Sequence, residues 1–124
     1  MFYGGKNGHK SCYIFFVLIV LVFLSLFSMN ETDQLLFQNH ADIYKALAHP
    51  TRLFIVYEIA ENKRSVTELA HKVGVDLSTM SKHLEILRSR KIISRIKQGN
   101  QVFYRLEFTC ILNFFECVNN SLIT

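Results

Sequence analysis

The apolar positions of this chain follow three rhythms. Residues 13–27 form a near-unbroken apolar run, interrupted only by Ser25. From residue 33 to 90 apolar side chains recur every three or four positions, the period of a helix with one buried face. After Arg90 the period shortens to that of strands. The helical stretch divides into four. Leu36, Ile43, Tyr44 and Leu47 give a first helix over residues 33–47. Ala48-His49-Pro50 ends it, because the residue before a proline is pushed out of the helical region, and Pro50 suits the first turn of the next helix. Leu53, Val56, Tyr57 and Ala60 supply the second stripe.

Two short helices follow. Ser65 and Glu68 have the spacing of a capping box ahead of Val66, Leu69, Ala70 and Val73. Gly74 stands where that helix must stop, since a left-handed residue there is easiest for glycine. After Val75, Asp76 is placed to cap a helix whose buried stripe is Met80, Leu84 and Leu87. Residues 92–97 and 101–106 read as strands around Gln98, Gly99 and Asn100, with Gly99-Asn100 the turn signal. A last helix over residues 108–122 carries two adjacent apolar stripes, Ile111, Phe115, Val118 and Leu122 beside Cys110, Phe114, Cys117 and Ser121. The expected fold class is mainly α with a small β-hairpin, in the order α-α-α-α-β-β-α, which is that of a winged helix-turn-helix. A last helix apolar over so much of its circumference predicts that it is buried in a dimer.

Charge turns this fold towards a partner. The chain carries a formal net charge of +4, and the excess is local. Residues 63–105 hold ten basic side chains against Glu68, Asp76 and Glu85, a surplus of about seven, which fits a polyanion. The helix after Asp76 opens on the small hydroxyls Ser78, Thr79 and Ser81, followed by Lys82 and His83. Short donors let a helix approach base edges closely, and a long cation reaches a phosphate. Leu77, Ser78, Thr79, Ser81, Lys82 and His83 are therefore the expected contacts in the major groove of double-stranded DNA, with His83 also open to a packing role. Arg95, Lys97, Asn100 and Arg105 are those of the hairpin. An enzyme is not expected: the chain shows no nucleophile–base set, glycine-rich phosphate loop or paired carboxylates.

The run over residues 13–27 has three readings. As a helix of about fifteen residues it spans roughly 22 Å, short of the ~30 Å hydrocarbon core. As a secretory signal it has Lys6 and Lys10 ahead of an apolar stretch, but Leu26 and Ser28 make a poor cleavage site. Basic residues before it and acidic residues after it would also export the rest of the chain. The third reading makes Met29 the native start, with residues 1–28 a leader and residues 29–124 the DNA-binding domain, and it fits best. A small membrane-anchored protein with a partner-binding domain, or a membrane-tethered regulator, is the alternative if residues 1–28 are part of the native chain. The DNA-binding reading places the protein in the cytoplasm.

From about Ala41 to Leu106 the chain resembles the arsenic-repressor (ArsR/SmtB) family. The resemblance rests on Lys45-Ala46-Leu47-Ala48-His49-Pro50-Thr51-Arg52-Leu53 and Thr67-Glu68-Leu69-Ala70. It continues in Ser78-Thr79-Met80-Ser81-Lys82-His83-Leu84-Glu85-Ile86-Leu87, and in the hairpin from Arg95 to Leu106. It implies a homodimeric repressor, paired through its first and last helices, that leaves its operator when an effector binds. Members that sense soft metals carry a Cys-x-Cys pair where this chain has Ser65 and Thr67, and zinc sensors place histidines on the last helix, which has none here. Cys110 and Cys117 remain. They lie about 10.5 Å apart along one helix, too far for one intrachain site. The last helices of the family pair antiparallel, so Cys110 of one subunit would face Cys117 of the other, a site for a thiophilic metal, a metalloid or an oxidant. Packing as small hydrophobes is the competing reading. His40, His49 and His71 are expected in structural roles, and Cys12 lies in the leader.

Overall fold

The computed structural model describes residues 5–123, with side chains over 13–26 and 28–123; residues 1–4 and the Cys12 side chain lie outside the described residues. The chain divides into two units, Met1–Phe37 and Gln38–Thr124. In the first, the apolar run lies within α1 (Gly5–Phe27), longer than the fifteen residues expected, and α2 (Glu31–Leu47) begins. Among the described residues no single helix is long and apolar enough to cross a membrane; parts of α1 and α2 meet that test only when taken together as a broken pair.

The second unit holds the end of α2, then α3 (Pro50–Glu61), β1 (Arg64–Ser65), α4 (Val66–Val73), α5 (Leu77–Ser89), β2 (Ile93–Gln98), β3 (Gln101–Leu106) and α6 (Cys110–Ile123). The hairpin forms, with its first strand one residue later than the expected 92–97, so that Gln98 lies opposite Gln101 across the two-residue turn Gly99-Asn100. β1 is an addition. Its two residues pair antiparallel with Tyr104 and Phe103, giving the strand order β1-β3-β2. Two residues are too few to show an alternation in sequence.

The local signals act as their chemistry dictates. The Ser65 hydroxyl accepts from the Glu68 amide at 3.2 Å, and the Glu68 carboxylate accepts from the Ser65 amide at 2.7 Å. Gly74 takes φ +79°, and the amides of Gly74 and Val75 both close on the Ala70 carbonyl. His49 caps α3 by accepting from the Thr51 amide at 3.2 Å. Arg52 reaches back to donate to the Ala46 and Lys45 carbonyls, satisfying the end of α2.

The core lies where α3, α4, α5, the hairpin and α6 meet. Leu69, Ala70, Met80, Leu84, Leu87, Ile92 and Ile93 are all buried. α3 departs from expectation. Its buried residues are Ile55, Val56 and Ile59, while Leu53 and Ala60 are half-buried and Tyr57 is exposed. Residues 53–57 are apolar throughout, so periodicity does not choose a face there; packing does. Tyr57 instead stacks on Phe115 at 4.9 Å, with its hydroxyl accepting from Asn119. In α2, Leu47 is buried as expected, but Tyr44 is exposed and Ala46 takes the core position.

α5 ends in a Schellman turn built without glycine. The Lys91 amide donates to the Arg88 carbonyl at 2.9 Å and the Ile92 amide to the Leu87 carbonyl at 3.1 Å. Ile92 and Leu87, both fully buried, make the hydrophobic contact that goes with the motif. Lys91 sits at φ +59°, where a Cβ crowds the following carbonyl. Lys91→Gly is expected to stabilise the fold by roughly 0.5–1 kcal/mol, read as a higher urea midpoint with an unchanged slope.

Candidate nucleic-acid interface

α4, the turn Gly74-Val75-Asp76 and α5 form a helix-turn-helix. Asp76 fixes the start of α5 by accepting from the Thr79 amide at 2.9 Å. Hydrogen bonding from Thr79, through its hydroxyl first and its amide second, holds the Asp76 carboxyl below the usual carboxylate range. Met80, Leu84 and Leu87 seat the helix on the core, which turns Leu77, Ser78, Ser81 and Lys82 to solvent. Thr79 is half-buried.

His83 is not on the exposed edge with them. It is half-buried, its ring 4.7 Å from that of His49 and tilted by 45°. Its Nδ1 is buried without a hydrogen-bond partner. Of the two roles open to it from sequence, this geometry is that of packing. Burial first, and then the positive fields of His49 and Arg52, push its pKa down. The unfolded chain therefore takes up this proton more readily than the folded one. The resulting stability is complete above the ordinary histidine pKa of about 6.5 and is lost as the pH falls below it. The thermal midpoint is expected to drop between pH 7 and pH 5, and to drop less in His83→Asn.

The hairpin separates cations that sequence had grouped. Arg95 lies opposite Tyr104 and Lys97 opposite Val102, on one face; Arg105 lies opposite Ser94, on the other. Asn100 is exposed in the turn. Arg105 donates to Glu107 at 2.9 Å, and Ser94 donates to the same carboxylate.

Ion pairing thins the positive surplus further. Glu58 binds both Lys72, at 2.9 Å, and Arg64, at 3.4 Å. Arg90 reaches Asp42 at 3.1 Å, and Arg88 holds Glu85 through two bonds of 2.9 Å. The basic side chains of this segment outside any ion pair among the described residues are Lys63, Lys82, Lys91, Arg95 and Lys97. Lys63 donates to Gln98 at 2.6 Å and lies 5.3 Å over the Phe103 ring. Lys82, Arg95 and Lys97 thus keep their charge for a partner.

The thiols lie elsewhere. Cys110 and Cys117 are both free and exposed on α6, and no cluster of three or more metal-ligating side chains occurs among the described residues. α6 buries only Phe115, leaving Phe114, Val118 and Leu122 exposed. Those three border an apolar groove of about 480 Å³ whose other wall includes Tyr44, Leu53 and Tyr57.

Residues 49–95 match the family model described as bacterial regulatory protein, arsR family. The chain is 38% identical over 66 residues to the biofilm growth-associated repressor of Xylella fastidiosa, covering 53% of this chain and 58% of that one. It spans little more than half the length of such curated relatives. Among solved structures, the transcriptional repressor BigR from Xylella fastidiosa is similar with a TM-score of 0.60 and 30% identity, over 74% of this chain and 95% of that one. The homodimeric winged helix-turn-helix DNA-binding domain from Mycobacterium bovis, a possible ArsR-family transcriptional regulator, gives a TM-score of 0.67 and 26% identity over 77% and 88%.

Proposed function

Because the chain belongs to the ArsR family of bacterial regulatory proteins, we propose that it is a transcriptional repressor that binds operator DNA as a homodimer in the cytoplasm, with residues 29–124 as its working domain. The observation that carries this reading is the exposed edge of α5, Leu77, Ser78, Ser81 and Lys82, on a helix-turn-helix whose hairpin holds Arg95 and Lys97 outside any ion pair. Ser78, Ser81 and Lys82 enter the major groove, and Arg95, Lys97 and Asn100 grip the backbone beside it. The apolar groove between α6, α2 and α3 is the seat of the second subunit, which brings two recognition helices to half-sites one DNA turn apart.

The effector is read at the cysteines. Exposed on the helix proposed to pair across the dimer axis, Cys110 of one subunit and Cys117 of its partner form a soft inter-subunit site for a thiophilic metal, a metalloid or an oxidant. A gel shift on the gene's own upstream DNA, repeated with arsenite, cadmium, zinc and peroxide, tests both levels. Binding at low salt and release by one of the four are expected. A protein indifferent to that DNA at low ionic strength overturns the repressor reading. Cys110→Ser is expected to bind like the parent but not to release; release at the parent's effector concentration removes the cysteines from sensing.

A further inference from the structure

The exposed edge of α5 is poor in side chains that identify a base by paired hydrogen bonds. Its one guanidinium, on Arg88, is held by Glu85 through two bonds of 2.9 Å. Lys82 is a point charge suited to a phosphate. Ser78 and Ser81 carry hydroxyls that donate or accept as required, and so distinguish bases weakly. Thr79 is half-buried, and His83 has its ring against His49.

Leu77 is the exception. It is the first residue of α5, directly after the Asp76 cap, and it remains 52% exposed. An isolated exposed leucine is ordinary on a protein surface and needs no explanation by itself. This one lies at the end of the helix that meets base edges in a helix-turn-helix, four residues before Ser81 and five before the unpaired Lys82. The major groove offers an aliphatic side chain one specific apolar partner, the C5 methyl of thymine. We propose that Leu77 is a specificity-determining residue that selects a thymine in each half-site through its methyl group. The inference rests on the DNA-binding reading above and deepens it: the preferred sites are defined by a methyl contact and not by a bidentate hydrogen bond.

Ile86 supplies the control. It is 40% exposed on the same helix, but lies nine residues further on, away from the end that reads bases. The full chain is used to select duplexes from a random pool, and each thymine of the recovered site is replaced in turn by deoxyuridine, which removes only the methyl. One thymine per half-site is expected at which the replacement weakens binding about fourfold, the worth of one buried methyl group. Leu77→Ala is expected to bind thymine and deoxyuridine sites equally, with the affinity the parent shows for a site carrying deoxyuridine in both half-sites. Ile86→Ala is expected to keep the parent's preference. Because Leu77 is exposed, its variant keeps the parent's circular dichroism and thermal midpoint. A recovered site indifferent to every methyl, or a preference that survives in Leu77→Ala, overturns the inference while the repressor reading stands. A pool that yields no enriched duplex overturns the DNA-binding reading, and the inference with it.

Discussion

Replacing Arg95 and Lys97 together by alanine removes two cations from each subunit of the proposed dimer, and is expected to weaken operator binding at least about thirtyfold at 0.15 M salt and to flatten the slope of log K against log[salt] by about four. Both side chains are exposed, lie on one face of β2 and stand outside the ion pairs of the domain. Each phosphate they neutralise releases condensed counterions, so their loss shows in the salt dependence as well as in the affinity. The contrast variants matter as much. Arg88 and Arg105 carry the same formal charge, yet Glu85 and Glu107 neutralise them. Alanine at either is expected to leave the slope nearly unchanged. Arg90→Ala removes the partner of Asp42 and frees an acid on α2, so it is expected to lower stability and not the salt slope. Quantitative binding at four or five salt concentrations separates the two classes. A slope that fell equally for Arg105→Ala and for Lys97→Ala would show that register does not sort these cations.

That sorting is where sequence reading stops. The signals that span a few residues were legible: the Ser65–Glu68 capping box, the left-handed Gly74, the Asp76 cap and the Met80, Leu84, Leu87 stripe all stand as their spacing implies. Each is decided by chemistry within one helical turn. The features that escaped depend on partners distant in the chain. Arg90 looks like a free cation until Asp42 is brought beside it, and Lys72 until Glu58 is. His83 reads as a groove contact by position in the helix, but its ring meets His49 from the α2–α3 junction. β1 exists only because β3 offers Tyr104 and Phe103 as partners. The α3 stripe failed for a different reason: a helix apolar on several sides has more than one acceptable face, and the second face goes to Tyr57, stacked on Phe115. The same surplus of apolar surface recurs on α6, where sequence did read it as a sign of association.

Val118→Asp is expected to have the largest effect of all, turning the proposed dimer into a monomer and weakening operator binding at least a hundredfold. In the isolated subunit Val118 is 39% exposed on the wall of the apolar groove, so a carboxylate there stays hydrated and the subunit fold is little disturbed. In the dimer the same carboxylate would lie in a seam with Phe114, Leu122 and Tyr44, without a cation to meet it. Desolvating an unpaired charge costs several kcal/mol, and the dimer presents two copies of the site. Association at micromolar concentration does not survive that penalty. Operator affinity follows, because a monomer loses the second recognition helix that dimerisation holds at high effective concentration over its half-site. Sedimentation at micromolar concentration reads the oligomeric state, and circular dichroism with the thermal midpoint shows whether the subunit still folds. A variant that stays dimeric and binds its operator like the parent would move the subunit interface away from the α6 groove. A folded monomer with weak but salt-dependent DNA binding is the expected result, since Lys82, Arg95 and Lys97 remain in place on each subunit.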